Sequence, residues 1–276
     1  MCALKQPSED ILSLKAQMRT TPYHFNLLSD TERLSAFLEA IKQKAKGTVY
    51  DIGTGCGILS ILAAPYSDFI YAVEKDPMAA KLAEFNFKEF NNILLINEDA
   101  RNVIFKDKAD LIICEMLDTA LIDEEQVPVI NSILKYLKDD GEIIPHKILN
   151  GAEAIFMDRD SICYDDDFDS SKINHDTISN FVIYNKINFK KSIEEDVETE
   201  FELKINKKSI FSGIKITTFA LLTDDIICGP TPMLNPPLLV PTRKINVDIG
   251  DIIKVKLSYK MGGGLNSIQT GIEKIS

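Results

Sequence analysis

The residues with the clearest chemical potential lie in Asp51-Ile52-Gly53-Thr54-Gly55-Cys56-Gly57, which follows the apolar run Thr48–Ile52 and opens a helical pattern. Gly53 and Gly55 let the backbone pass close to a ligand with no Cβ in the way. Gly57 lets the following helix pack closely on the strand. A dinucleotide site uses G-x-G-x-x-G and seats a pyrophosphate on the helix N-terminus. Here the glycines are spaced G-x-G-x-G, and Asp51 stands just before them. A carboxylate there repels pyrophosphate and suits an ammonium or a sulfonium. Glu74 ends the next apolar run, where an acid can accept hydrogen bonds from two ribose hydroxyls. Asp76 is close by and is placed to cap the helix that begins at Pro77. Glu98 and Asp99 follow a third run. An acid there can receive an adenine amino group, or it is a solvated loop acid. Farther on, Glu115 and Glu124 bracket the loop after a fourth run.

Together these features resemble the class I S-adenosylmethionine (SAM)-dependent methyltransferases, which implies SAM as cofactor, with NAD as the rival ligand. The fourth run ends without the (N/D)PPY-type tetrad of enzymes that act on adenine or cytosine. Instead the segment Glu115 to Glu124 is similar to the protein arginine methyltransferases, whose pattern there reads S-E-x-M-G-x-x-L-x-x-E. Leu121 falls on that leucine. The resemblance implies that Glu115 and Glu124 are catalytic. Two carboxylates can grip a planar guanidinium and draw its charge away from the attacking nitrogen. The bland alternative makes Glu124 a helix N-terminal acid. Upstream, Leu27-Leu28-Ser29-Asp30-Thr31-Glu32-Arg33 is similar to the family's M-L-x-D-x-x-R. This implies that Arg33 pairs with the SAM carboxylate, and that Tyr23 and Phe25 cover the cofactor. The alternatives are a surface arginine and a helix staple. In this chain Cys114 replaces the family's serine, and Leu117-Asp118 replace Met-Gly. The chain has no tryptophan, so the family's Thr-His-Trp loop has no counterpart. The expected cofactor-binding set is Arg33, Asp51, Gly53, Gly55, Gly57, Glu74 and Asp99.

These residues need elements to position them. Short β runs at Thr48–Ile52, Phe69–Val73, Ile93–Ile96, Asp110–Cys114 and Glu142–Ile144 alternate with helical patterns at Gly57–Ala64, Met78–Phe90 and Glu124–Leu137. Asp139-Asp140-Gly141 marks a turn before the last run. The alternation predicts a parallel, doubly wound α/β sheet (Rossmann-like) over 47–150. Before it, residues 1–46 form helices that cover the cofactor site. One spans 9–20 and another about 30–45, capped by Ser29 or Asp30 with a capping box from Ser29 to Glu32. Beyond it, 151–276 is β-rich, an antiparallel barrel or sandwich with strands at Ala152–Met157, Thr177–Ile187, Thr199–Ile205, Ile210–Leu222 and Ile252–Tyr259. The proline-rich loop Gly229–Pro241 walls an acceptor pocket or ends sheet edges. Met261–Gly264 is a flap or a hairpin turn. The acidic loop from Tyr164 to Asp169 lacks the glycine and terminal glutamate of an EF-hand loop and reads as a solvated turn.

Composition narrows the function classes. The chain has 276 residues, 45% hydrophobic, enough to fill a core. No apolar run approaches the ~18 residues a membrane helix needs, and residues 1–21 carry no signal-peptide pattern, so a cytoplasmic protein is expected. The five cysteines form no C-x-x-C pair and the three histidines are scattered, so no metal site is expected. A net charge of −11 disfavours nucleic acid and suits a cationic partner or a small molecule, or serves solubility alone. The expected partner is a protein or small-molecule methyl acceptor, with a homodimer possible. A methyltransferase for a small metabolite or cofactor precursor and a non-catalytic SAM binder are the competing readings.

Overall fold

Five apolar runs build a parallel sheet in a computed structural model that describes residues 14, 16–165 and 174–275. They are β1 (Thr48–Ile52), β2 (Phe69–Val73), β3 (Ile93–Ile96), β4 (Ala109–Cys114) and β5 (Leu137–Ile144), in the order β3-β2-β1-β4-β5. The central strands are near-continuous apolar runs because helices cover both faces: Val49, Tyr50, Ile70, Ala72 and Leu111 to Ile113 are all fully buried. In β5, Asp139-Asp140-Gly141 is not the expected turn. It is absorbed into the strand as an irregularity, with Ala109 opposite Leu137 and Leu111 opposite Glu142.

Among the described residues, five helices accompany the sheet: α1 (Pro22–Ser29), α2 (Thr31–Lys44), α3 (Ile58–Ala63), α4 (Pro77–Asn86) and α5 (Gln126–Ile133). Helix α1 falls outside the expected pattern, although Thr21-Pro22 is a start signal. The Thr21 hydroxyl accepts the His24 N–H, and proline occupies the first turn, where its missing N–H costs nothing. Asp30 caps α2 by accepting the Arg33 N–H. The expected capping box at Ser29 does not form, because the Ser29 hydroxyl donates to the Phe25 carbonyl and closes α1 instead. Leu34, Phe37, Leu38 and Ile41 turn one face of α2 into the core. The expected helix over 9–20 lies mostly outside the described residues, as does most of the acidic loop.

The second half is antiparallel throughout. Its strands are β6 (Lys147–Met157), β7 (Cys163–Tyr164), β8 (His175–Thr177), β9 (Val182–Asn188), β10 (Asp196–Lys204), β11 (Ser209–Leu221), β12 (Ile227–Cys228), β13 (Leu238–Val247), β14 (Ile252–Lys260) and β15 (Gln269–Lys274). One sheet runs β7-β13-β11-β6-β8, with β9 on β6 and β12 on β11. A smaller one runs β10-β14-β15. Two expectations change. The single strand over Thr177–Ile187 is broken into β8 and β9, where Ser179 bridges to Ile205. The back of the Gly229–Pro241 loop is the start of β13. One apolar cluster, from Leu28 through the parallel sheet to Met261, serves both halves. Among the described residues, no helix is long and apolar enough to cross a membrane.

Candidate active site

In an open parallel sheet, ligands bind beyond the carboxyl ends of the strands, where the strand order reverses. Here the chain leaves β1 toward β2 on one side, and β4 lies on the other. The loops after β1 and β4 therefore face each other across that point. A cleft of about 250 Å³ opens there. Its walls are the glycine turn, the acids ending β2 and β3, the loop after β4, helix α1, and Met233 from the β half.

Of the glycine turn, Gly53 and Gly55 line the cleft. Both have positive φ, and a Cβ on Gly55 would run into the His24 ring. Gly57 stands behind the cleft. Its φ is 94°, and a Cβ there would strike the Phe87 ring of α4, so it serves helix packing and not the ligand face. Asp51 departs from the expectation as well. It does not line the cleft, because its carboxylate accepts the Thr54 and Ser60 hydroxyls, both at 2.6 Å, and so ties the turn to α3. Burial pushes its pKa up to about 6, against the pull of those hydrogen bonds.

Glu74 does line the cleft. Its two oxygens accept the Gly55 N–H at 2.8 Å and the Asp76 N–H at 2.7 Å, which leaves each with a free lone pair. Asp76 caps α4 through the Ala79 N–H. Glu98 and Asp99 reach the cleft from the end of β3. The Arg101 guanidinium forks Asp99 and holds its carboxyl at about 2. Arg101 and Lys75 both reach Glu125 as well, at 3.0 and 2.7 Å, so a rim of exposed ion pairs joins the loops after β2, β3 and β4. Nothing in the spacing of these residues announces that rim.

Arg33, on α2, lies in the cleft wall and is 1% exposed. Its Nε donates to one oxygen of Glu115 at 3.2 Å, and Nη2 donates to the other. Burial alone would lower the guanidinium's pKa, but Glu115 outweighs it and the net shift is upward. Glu115 is thus fixed by a two-point fork. Glu124 lies across the same cleft. Its carboxylate has no hydrogen-bond or ion-pair partner among the described residues. Its pKa is raised first by partial burial and then by Glu115. Glu124 caps nothing, because α5 begins at Gln126. The Tyr23 hydroxyl feels both carboxylates, and its pKa is raised by burial and then by each of them. Phe25, by contrast, is half exposed and does not line the cleft.

Several contributors lie outside the expected set. Gln126 clamps the end of β4, donating to the Cys114 carbonyl and accepting the Met116 N–H. Asp118 is 8% exposed and accepts the N–H groups of Ile122, Asp123 and Glu124 together with the Tyr164 hydroxyl. Burial lifts its pKa to about 7. Ala120 and Leu121 adopt left-handed φ of 61° and 60°, uncommon for residues with a Cβ. The β half braces this loop. Ala120 donates to the Thr218 hydroxyl, the Thr119 hydroxyl donates to the Pro236 carbonyl, and the N–H groups of Gly262 and Gly264 reach the Leu121 and Ile122 carbonyls. The Met261–Gly264 run is therefore a docked hairpin turn. From α2, Asp30 also accepts the Thr231 hydroxyl and the Met233 N–H. Among the described residues, no group of three His, Cys, Asp or Glu side chains could hold a metal.

Residues 30–175 match the sequence profile of the family described as Ribosomal protein L11 methyltransferase (PrmA). An uncharacterized protein of Methanothermobacter thermautotrophicus is 44% identical over 256 residues, 93% of this chain and 99% of that one. Protein arginine N-methyltransferase 7 of Gallus gallus is 34% identical over 143 residues, which are 44% of this chain and 20% of that protein. In fold, the chain is similar to a chain of the Trypanosoma brucei PRMT1 enzyme-prozyme heterotetrameric complex with AdoHcy. The TM-score is 0.75 at 15% identity, over 92% of this chain and 97% of that chain.

Proposed function

Because the chain belongs to the ribosomal protein L11 methyltransferase (PrmA) family and is a SAM-dependent methyltransferase, we propose that its acceptor is a cationic nitrogen, the guanidinium of a protein arginine, gripped between Glu115 and Glu124. One observation carries this reading. Glu124 presents an unpartnered carboxylate to the same cleft in which Arg33 fixes Glu115. An acidic pair at the mouth of a methyltransferase cleft calls for a cation, and a guanidinium fits two carboxylates by shape as well as charge. The arginine methyltransferases among the relatives support it.

The cleft suits the cofactor. The glycine turn has no Cβ where a ligand must pass, and Glu74 keeps free lone pairs facing the cleft. We assign Gly53 and Gly55 to the close approach, Glu74 to the ribose hydroxyls and Asp99 to the adenine end. Arg33 keeps guanidinium N–H groups beyond its Glu115 fork for the cofactor carboxylate. SAM supplies an electrophilic methyl on a good, cationic leaving group. The protein then has to position the acceptor and exclude water. In this mechanism Glu115 orients the guanidinium, and Glu124 accepts the proton that the nitrogen sheds. The N–C bond forms as the C–S bond breaks and its electron pair stays on sulfur.

The test is incubation of the protein with methyl-labelled SAM and a cell extract, followed by acid hydrolysis of the labelled fraction. The expected product is methylarginine from protein. Label confined to lysine, to an α-amine or to small molecules would overturn arginine as the acceptor.

A further inference from the structure

The loop that carries Glu124 has a conformation that its own residues do not favour. Ala120 and Leu121 are both left-handed, and neither side chain stabilises that region, as Gly or Asn would. Such a conformation persists only where its surroundings over-determine it. The group at the centre of those surroundings is Asp118. One carboxylate oxygen takes the N–H groups of Ile122 and Asp123 at 3.1 and 3.0 Å, and the other takes that of Glu124 at 3.2 Å. Three successive N–H groups thus converge on one side chain, which bends the chain back just before Glu124. The Tyr164 hydroxyl, from β7 of the second half, donates to the same carboxylate at 3.2 Å.

We propose that Asp118 is the positioning residue of the active-site loop: its carboxylate fixes the backbone of residues 122–124 so that Glu124 faces Glu115, and Tyr164 holds that carboxylate in place from the β half. The inference rests on the reading that Glu124 serves the acceptor, but its core is geometric and can be tested without one. The glycines at 262 and 264 grip the outer carbonyls of the same turn. Asp118 is the inner half of this clasp, and it alone touches the Glu124 amide. Ionised, above its pKa of about 7, the carboxylate suits the task because it has acceptor sites for all four donors and no hydrogen to oppose them. An amide at 118 would turn an NH2 group toward at least one of them, and the orientation that keeps its oxygen on Ile122, Asp123 and Tyr164 places the NH2 against the Glu124 N–H.

The experiment compares the full chain with Asp118→Asn and Tyr164→Phe by NMR, following amide exchange at 122–124 and the titration of the Glu124 carboxyl. In Asp118→Asn, exchange should quicken about tenfold at the Glu124 amide, which faces the new NH2 group, as expected for one lost hydrogen bond, and by less at 122 and 123. Glu124 should titrate nearer the ordinary carboxyl range as it moves away from Glu115. Tyr164→Phe should shift both in the same direction by less. SAM affinity should stay within about twofold, because Asp118 does not line the cleft. With an arginine-rich peptide as the probe acceptor, kcat should fall about 10²-fold with KM for SAM unchanged, the signature of a misplaced group. Exchange and Glu124 titration that match wild type in both variants would overturn the proposal. If Asp118→Asn does not fold, Tyr164→Phe decides the question by the same two measurements. A wild-type protein that leaves the peptide unlabelled, while Glu124 still responds to Asp118, would overturn arginine as the acceptor and sustain the positioning role.

Discussion

Glu115 and Glu124 are the same residue type in one cleft, but their surroundings make them unequal. Glu115 is bound to a buried arginine, whereas Glu124 has no hydrogen-bond or ion-pair partner among the described residues. Glu124→Gln should therefore cut methyl transfer by about 10²-fold or more, while SAM binding by calorimetry and the melting temperature stay near wild type. Glu115→Ala should behave differently. It leaves the Arg33 charge buried without its partner, which costs about 3–5 kcal/mol in denaturant titrations. Equal stability losses for the two variants would contradict the asymmetry. Asp51 offers a pH test. Its folded pKa, about 6, lies above the ordinary 3.8, so the folded state binds its proton more tightly than the unfolded chain. Its contribution to stability is therefore fully present below about 4 and is lost as pH rises through about 6. Asp51→Asn keeps an acceptor for both hydroxyls and removes the titration. The stability of wild type relative to Asp51→Asn should fall between pH 5 and pH 7 in paired thermal melts. A flat difference would place the carboxyl's titration elsewhere.

At the scale of elements, what could be read from sequence followed from burial. β1 and β2 were legible to the residue because covered strands are short apolar runs bounded by turn residues, and β3, at the sheet edge with Leu94 exposed, was legible from its unbroken apolar run alone. β13 was hidden because Pro241 interrupts it and its far end is polar and exposed. Helix α1 was hidden because only Leu28 among its eight residues is buried, which leaves no apolar stripe to read. The site divides in the same way. Gly53, Gly55 and the acids Glu74, Glu98 and Asp99 lie in the cleft because topology puts strand ends there, which their position after apolar runs already indicates. Asp118 was not legible, because it answers main-chain N–H groups, which leave no side-chain pattern, and its one side-chain donor is 46 residues away. Asp51 was misplaced by its chemistry: an acid before the turn looked like a ligand group, but the nearby hydroxyls of Thr54 and Ser60 claim it. Asp30 ties the elements together. It caps α2 and accepts Thr231 and Met233 from the β half. Asp30→Ala should lose about 1–2 kcal/mol through the cap alone, and it should weaken SAM binding as α1 and α2 loosen over the cleft. Lost stability with unchanged SAM affinity would confine Asp30 to capping.

For the whole molecule, the continuous apolar cluster makes the two halves one cooperative unit. Calorimetric unfolding should show a single transition, coincident with the loss of tyrosine fluorescence. Two separated transitions would mean that the parallel sheet stands without its partner. The same continuity changes the meaning of a deletion over 231–237. That segment contributes Met233 to the cleft wall, Thr231 and Met233 to Asp30, and Pro236 to Thr119, so its removal should weaken SAM binding as well as methyl transfer.

The glycine clamp has a consequence in time. Its donors, Gly262 and Gly264, come roughly 140 residues after the carbonyls they hold, and at about 5–20 residues per second a ribosome needs roughly 7–28 s to make that stretch. Through most of that interval the residues of the parallel sheet and its glycine turn have been made, but the β half that shares their core has not, and the loop bearing Glu124 lacks its clamp. The emerging protein would acquire its cofactor cleft, with Met233 in its wall, and its acceptor geometry together and late, so a chain released too soon would neither hold SAM nor pass on its methyl group.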